Sequence, residues 1–269
     1  MAESSKIEWT DHTFNPWIGC TKVSVGPKGA CESCYAEVAT PSRAMRIKWG
    51  PGKPRHRTSI ATWSLPLKWE RDAGEFQSKH GRRQRVFCAS LADVFDNEVD
   101  PQWRTNLFDM IGATPSLDWL LLTKRIGNAQ RMLPSDWAGG YKNVWLGATV
   151  VTQEEIDRDV PKLIETPARI RFLSCEPLLE EVTFAGRWID HENPSLHENW
   201  LERIDWVIVG GESGKAPRPM AQQWVECLRF ECASLGVPFF MKQGSAANWP
   251  AYKDFARFPP FLQVREWPL

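Results

Sequence analysis

Short runs of apolar residues alternate with longer, partly polar segments along most of the chain. The apolar runs are nearly continuous, as is typical of strands that are buried on both faces of a parallel sheet. The runs predict strands at 86–90, 119–123, 144–149, 169–174, 206–210 and 237–241. No hairpin signal separates them, so we expect consecutive strands to run parallel, with right-handed crossovers between them.

The segments between these runs predict helices. Their expected ranges are 35–48, 66–79, 101–112, 126–132, 153–165 and 222–235. Asp100 before Pro101 is a good helix start, and the Gly/Pro cluster at 50–54 ends the first helix. Strands that alternate with helices predict an α/β fold, specifically a parallel (β/α) barrel, partial or complete. The segment 178–204 is expected to be less regular.

A barrel of this kind fits a single domain over residues 1–269. Residues 1–13 are polar and predict a lead-in that Ile7 and Trp9 attach to the barrel. The stretch 49–64 is interpreted as an inserted basic loop, and the aromatic tail 245–269 as a cover for one face. Most of the 15 tryptophans are expected to be packing residues.

Charge and composition narrow the class of protein. The chain carries 33 basic and 33 acidic residues, so no global field attracts a polyanion or a membrane, and such a partner must meet a local patch. No apolar run has the length that spans a bilayer. The cysteine count is odd and no secretory leader is apparent, so a reducing cytoplasm is the expected location.

Three of the seven cysteines lie close together in one predicted loop. Cys31 and Cys34 are separated by two residues, and Cys20 precedes them across a ten-residue spacer that contains Gly and Pro. Three thiols at one point indicate a metal ion or an iron–sulfur cluster. The alternatives are a zinc site of three cysteines completed by His12, and three unrelated buried thiols.

Gly19-Cys20 followed by Cys31-Glu32-Ser33-Cys34-Tyr35-Ala36 resembles the cysteine loop of radical S-adenosylmethionine proteins. It is similar to the spore photoproduct lyase-like branch, and most similar to an uncharacterised, phage-associated family with a three-cysteine motif. The chain departs from the usual pattern, which has three residues between the first two cysteines.

This resemblance implies a function. Cys20, Cys31 and Cys34 would hold a [4Fe–4S] cluster whose open iron binds S-adenosylmethionine. An external electron donor would reduce the cluster. Reductive cleavage would give a 5′-deoxyadenosyl radical that abstracts hydrogen from a substrate.

Polar groups follow the predicted strands, and in parallel barrels such strand ends form the active site. An S-adenosylmethionine ligand needs acceptors for its amino group, cations for its carboxylate and polar groups for its ribose. The residues that match these needs in kind are Ser90, Asp93, Lys124, Thr149, Glu176 and Glu212. Two of the strand-end sequences, 90–96 and 120–125, are similar to those of the spore photoproduct lyase-like branch.

Two residues are candidates for the chemical step. Glu212, after two adjacent glycines, is a candidate base or acceptor, and Cys175, at a strand end, is a candidate hydrogen-atom donor to a substrate radical. The alternative for Glu212 is a tight turn before a helix, and for Cys175 it is a buried structural thiol.

The expected substrate is nucleic acid, through base repair or modification. The resemblance favours it, and so does the interleaving of basic and aromatic residues over 43–57. A peptide or small-molecule substrate and a separate partner protein stay open. The competing hypotheses are a non-catalytic barrel, braced by zinc or a cluster, that binds nucleic acid or protein, and a Mg²⁺- or Mn²⁺-dependent hydrolase.

Overall fold

A computed structural model describes residues 5–189, 198–214 and 216–268. The strands, numbered in chain order, are β1 His12–Phe14, β2 Trp17–Ile18, β3 His56–Arg57, β4 Gln84–Cys88, β5 Leu117–Thr123, β6 Val144–Thr149, β7 Ile170–Cys175, β8 Trp206–Gly210 and β9 Phe239–Gln243. The α-helices are α1 Tyr35–Val38, α2 Thr40–Ala44, α3 Ile60–Trp63, α4 Leu65–Arg71, α5 Ala73–His80, α6 Pro101–Gly112, α7 Ile126–Met132, α8 Gln153–Glu165 and α9 Gln222–Ser234. Short 3₁₀ helices lie at Trp200–Arg203, Phe255–Arg257 and Pro260–Leu262.

Within the described residues, seven strands form one open parallel sheet. Their order is β1-β4-β5-β6-β7-β8-β9, so after the first step each strand lies beside its successor in the chain. This order is that of a partial (β/α) barrel, and the predicted fold class is confirmed. A separate antiparallel pair joins β2 to β3.

The chain divides into two compact units. The first comprises Met1–Val23, Cys34–Leu146 and Pro167–Arg169, and the second comprises Ser24–Ser33, Gly147–Thr166 and Ile170–Leu269. The core of the first unit includes Phe14, whose ring meets Trp63 and Trp119 edge-on, with centroids 5.6 and 5.5 Å apart. In the second unit Trp206 lies against Phe172 and Phe240, at 5.8 Å from each. These three tryptophans are therefore packing residues.

The long helices α6 and α8 both start with a side-chain cap. The Asp100 carboxylate accepts a hydrogen bond from Gln102 N at 2.8 Å, and the Thr152 hydroxyl accepts one from Glu155 N at 3.3 Å. The predicted bounds of α6, α7, α8, β6 and β8 match the observed ones.

Several predicted elements differ from the observed ones. The lead-in prediction for residues 1–13 was wrong for its last two residues, because His12 and Thr13 belong with Phe14 to β1, which pairs with β4. The predicted helix 35–48 is broken because Ala39 is extended (ψ 150°), and α2 starts anew with Pro41 in its first turn, where proline needs no donor. The predicted helix 66–79 is divided between α4 and α5 at Asp72.

Part of the segment 178–204, which was predicted to be irregular, cannot be compared with the structure, because residues 190–197 lie outside the described residues. The tail runs beside β9, because Met241 N donates to Val264 O at 2.9 Å and Glu266 N donates to Phe239 O at 3.0 Å. Among the helices of the described residues, none combines the length and the apolar character needed to cross a membrane.

Candidate functional site

Asp93 lies at the centre of a hydrogen-bond network in the first unit, where β4 and β5 end. Its carboxylate accepts hydrogen bonds from the Thr123 hydroxyl at 2.7 Å, from the backbone of Phe95 and Lys124 at 2.9 and 3.1 Å, and from Arg125 at 3.2 Å. The side chain is buried, so these donors replace the water that a carboxylate needs. Asp93 therefore fixes the start of the β5–α7 loop, and its role in binding a cofactor stays a prediction.

Arg125 connects this network to the first cysteine of the motif. One guanidinium nitrogen lies 3.2 Å from Cys20 Sγ and 3.2 Å from Asp93, and another donates to Thr21 O. Burial, reinforced by the negative charge of Asp93, raises the pKa of Cys20 to about 12, while Arg125 opposes this shift. The metal-free thiol is therefore protonated at neutral pH, and a bound metal ion would have to displace its proton.

The Cys34-Tyr35-Ala36 triplet is held in place by contacts within the first unit. The Tyr35 hydroxyl donates to Ser90 O at 2.6 Å, just beyond β4, while Ala36 packs with Ile18 and Cys34 in a small apolar cluster. The Ser90 hydroxyl is itself bonded to Asn15, at 3.0 Å. These contacts attach the helix that follows Cys34 to the end of β4.

Cys31 belongs to the second unit. Its side chain is buried, and its backbone N donates to Ser24 O at 2.7 Å. All seven cysteines are free thiols. In the described ranges, no group of three or more His, Cys, Asp and Glu side chains is arranged to hold a metal ion. The donor set nevertheless fits an iron–sulfur cluster in its chemistry, because thiolates are the usual ligands and a cation adjoins Cys20.

His12, considered as a fourth zinc ligand, has other contacts. Its Nε2 lies 2.7 Å from Gln84 Oε1, and its ring stacks on Trp69 at 4.2 Å. It lines a cavity of about 320 Å³ together with residues of α4 and α5, including Glu75 and His80, and none of the cysteines lines this cavity. These contacts favour a packing role for His12 over a zinc ligand.

Glu176 and Lys242 form an ion pair in the second unit. Lys242 Nζ lies 2.9 Å from Glu176 Oε1, although the angle does not satisfy a hydrogen bond, and Ser174 donates to the other oxygen at 3.3 Å. A Cβ at Gly210 would lie 2.5 Å from Glu176 Oε1. Glycine at the end of β8 therefore leaves room for the carboxylate.

The Glu212 carboxylate is engaged by Arg218. It accepts two side-chain hydrogen bonds, at 2.9 and 2.6 Å, and one from the Arg218 backbone at 2.8 Å. Burial would raise the pKa of Glu212, but the hydrogen bonds from Arg218 outweigh it and the pKa is lowered. Glu212 is thus ionised and committed to Arg218, and its predicted role as a base stays untested.

Two further candidate residues are buried in the second unit. Thr149 ends β6, and Cys175, with no exposed surface, ends β7. Burial raises the pKa of Cys175, so it stays in the S–H form that a hydrogen-atom donor requires. Its role as a hydrogen-atom donor stays a prediction.

The basic segment 43–57 divides into two kinds of residue. Arg43, Arg46, Lys48 and Lys53 are exposed. Arg55 is buried and pairs with Asp96 at 2.7 Å, so it serves the fold. Asp96, the partner that distinguishes Arg55 from its neighbours, lies 41 residues further along the chain, and no sequence pattern links the two.

Sequence reasoning missed the partners that complete these groups. Arg125, Arg218 and Lys242 each pair with a predicted site carboxylate. Arg125 and Lys242 stand next to predicted strand ends, so position alone could have suggested them. The pairing of Arg218 with Glu212 follows from a loop conformation that has no simple sequence signature.

The chain is thus an α/β protein with a partial parallel barrel, and polar side chains and a cysteine lie at the carboxyl ends of its strands. Residues 4–256 match the family model described as "Protein of unknown function (DUF5131)", and the chain belongs to this family. The comparison with curated proteins gives no match.

One solved structure resembles the chain, with a TM-score of 0.44 and 11% sequence identity. It is a spore photoproduct lyase double mutant with bound AdoMet and dinucleoside spore photoproduct. The likeness covers 84% of this chain, which spans 62% of the lyase chain.

Proposed function

We propose that this protein is a radical S-adenosylmethionine enzyme in which Cys20, Cys31 and Cys34 hold a [4Fe–4S] cluster. The observation that carries the proposal is the contact of Cys20 Sγ with Arg125, 3.2 Å away, in the Asp93 network at the ends of β4 and β5. The first cysteine of the motif thus adjoins a strand end, where barrels of this kind place their chemistry.

When bound, the cluster and S-adenosylmethionine would supply the radical that abstracts hydrogen from the substrate, with electrons from an external donor. The protein's own residues prepare the site. The charge of Arg125 would stabilise the Cys20 thiolate that cluster binding requires, and Asp93 holds Arg125 in place. The Tyr35 contact with Ser90 O holds the helix after Cys34.

Glu176 and Lys242 suit the amino acid part of S-adenosylmethionine. That group carries one positive and one negative charge, and this ion pair offers one of each at 2.9 Å. A ligand would exchange the internal pair for two new ones, so the charges stay balanced while it binds.

For substrate we propose nucleic acid, with base repair or modification as the reaction. Arg43, Arg46, Lys48 and Lys53 are exposed, and such side chains bind phosphates. Arg57 lies 4.6 Å from the Trp63 ring, which adds an aromatic contact to the same segment. A non-catalytic barrel that binds nucleic acid would share this surface but would not cleave S-adenosylmethionine.

The test of the enzymatic proposal is reductive cleavage of S-adenosylmethionine. Protein reconstituted anaerobically with iron and sulfide is incubated with dithionite and S-adenosylmethionine, and 5′-deoxyadenosine is measured. We expect product from the wild type and from Cys227→Ala, whose thiol lies outside the motif, and none from Cys31→Ala. Wild-type protein with a full iron complement and no product would contradict the proposal and favour the non-catalytic barrel.

Nucleic-acid binding is tested separately by fluorescence anisotropy with a single-stranded and a duplex oligonucleotide. The triple variant Arg43→Ala/Arg46→Ala/Lys48→Ala should weaken binding and flatten the plot of log K against log salt, by about 0.7–0.9 per lost phosphate contact. Lys142→Ala, an exposed lysine outside the segment, is the matched control. Equal affinities for the triple variant and the wild type would rule out this surface.

A further inference from the structure

The spacer between Cys20 and Cys31 folds back on itself within the second unit. Gly29 N donates to Gly26 O at 2.9 Å, and Gly26 has a φ of +95° that favours glycine. A Cβ at Gly29 would lie 2.5 Å from backbone atoms of Val25. The spacer residues 24–30 thus form a tight turn that leads directly into Cys31.

Ser24 joins the start of this turn to the cysteine. Its hydroxyl donates to Glu155 at 2.6 Å and accepts from Ala30 N at 3.0 Å, while its carbonyl accepts from Cys31 N at 2.7 Å. Lys28 pairs with Glu180 on the surface. The conformation of Cys31 therefore depends on how firmly the turn is held to α8 and its neighbours.

Arg218 holds the tip of the turn. One of its nitrogens donates to Pro27 O and to Gly29 O, both at 3.0 Å, and its remaining side-chain donors face Glu212. The side chains of Arg218 and Glu212 are 20% and 8% exposed. Because Glu212 binds the guanidinium at two points, Arg218 can direct its third nitrogen at the two carbonyls with little freedom to rotate.

We propose that Arg218, oriented by Glu212, is a positioning residue that fixes the 24–30 turn and thereby presents Cys31 to the cluster. The inference rests on the proposed function only in taking Cys31 as a cluster ligand. It gives the extended spacer a purpose, since the additional residues supply the carbonyls that Arg218 binds. It also gives Glu212, the last residue of the Gly-Gly-Glu sequence, a role that needs no contact with S-adenosylmethionine.

The first experiment needs no iron. Hydrogen exchange across 24–33 and the alkylation rate of Cys31 are measured on reduced, metal-free wild type, Arg218→Met and Glu212→Gln. Loss of two hydrogen bonds should speed both by about tenfold or more in Arg218→Met. Asp157→Asn is the matched control, because Asp157 binds Arg187 at 2.7 and 3.2 Å in the same unit.

The second experiment measures the cluster. After reconstitution, Arg218→Met should hold less iron and sulfide than the wild type and should give an altered electron paramagnetic resonance spectrum. Arg218→Lys, which keeps one charge and reaches one partner at a time, should restore part of both. Recovery of iron by Lys but not by Met distinguishes positioning from a general loss of fold.

The outcomes separate the two proposals. If the turn is loosened in Arg218→Met but the wild type binds no iron, the turn-holding role of Arg218 stands and the cluster is refuted. Unchanged exchange and alkylation in Arg218→Met would overturn the positioning role, whatever iron the wild type holds. If Arg218→Met is unfolded by circular dichroism, Glu212→Gln decides, because it keeps the shape of the side chain and weakens only the charge-assisted bonds.

Discussion

Replacing Arg55 by Met should destabilise the protein far more than replacing any of the exposed basic residues beside it. The side chains of Arg55 and Asp96 are 1% and 2% exposed, and their charges lie 2.7 Å apart. Arg55 also pairs with Glu98 at 2.8 Å and donates to Thr21 Oγ1 at 2.7 Å and to Lys53 O at 2.7 Å. Met would leave Asp96 buried with only the more distant Arg125, 3.9 Å away, as a cation.

The expected cost follows from this burial. Removing one partner of a buried pair costs about 3–5 kcal/mol, because the remaining charge loses both its partner and its water. For a chain of this size, that loss corresponds to a fall in Tm of about 6–20 °C. Arg55→Lys keeps the charge but loses the planar fork, so its Tm should fall between those of the wild type and Arg55→Met.

The assay is thermal unfolding followed by circular dichroism, repeated as urea unfolding where the transition is reversible. Arg43→Met is the matched control, because Arg43 is exposed in the same segment, and it should change the stability by less than about 0.5 kcal/mol. An Arg55→Met protein as stable as Arg43→Met would refute the structural role of Arg55 and would return it to the proposed nucleic-acid surface.

Three further predictions follow from local contacts. Gly147→Ala should lower the Tm, because a Cβ there would overlap the Phe172 ring, and Ala substitution at the exposed Gly74 is the control. Asp11→Asn should lower the Tm at pH 7: burial would raise the Asp11 pKa, but hydrogen bonds from Arg82 and the backbone lower it below the unfolded-state value. The difference in Tm from the wild type should begin to shrink as the pH falls below about 4 and should vanish only once the pH has passed the lowered folded-state pKa. In metal-free protein, the rate of Cys20 alkylation should rise about tenfold per pH unit up to about pH 11, because burial raises the pKa of this thiol to about 12. A rate that levels off near about pH 9 would contradict this.

The strands and helices with strong patterns were predictable from sequence. α6, α7, α8, β6 and β8 have apolar runs or caps that define both ends, and their bounds match. β1 was missed because three residues are too few for a periodic signal, and its strand character comes from pairing with β4, whose partner residues lie more than seventy positions away.

The placement of the candidate residues near strand ends was predictable from sequence, but their hydrogen-bond and ion-pair partners were not. Strand order places Asp93 and Glu176 where barrels carry chemistry, and the sequence suggests as much. Which cation each carboxylate meets depends on loop conformation, and Asp93 and Glu212 are both already bound to arginines. The sequence shows which kinds of group are available, whereas the pairing of Glu212 with Arg218 has no sequence signature.

The most direct test of the radical mechanism is the metal content of protein purified anaerobically, with electron paramagnetic resonance of the reduced sample before and after addition of S-adenosylmethionine. We expect about four iron and four sulfide per chain. We also expect a spectrum that changes on addition of S-adenosylmethionine and is absent in Cys31→Ala. One zinc per chain, no iron and no spectrum would contradict the radical mechanism and would leave a zinc-braced binding protein in its place.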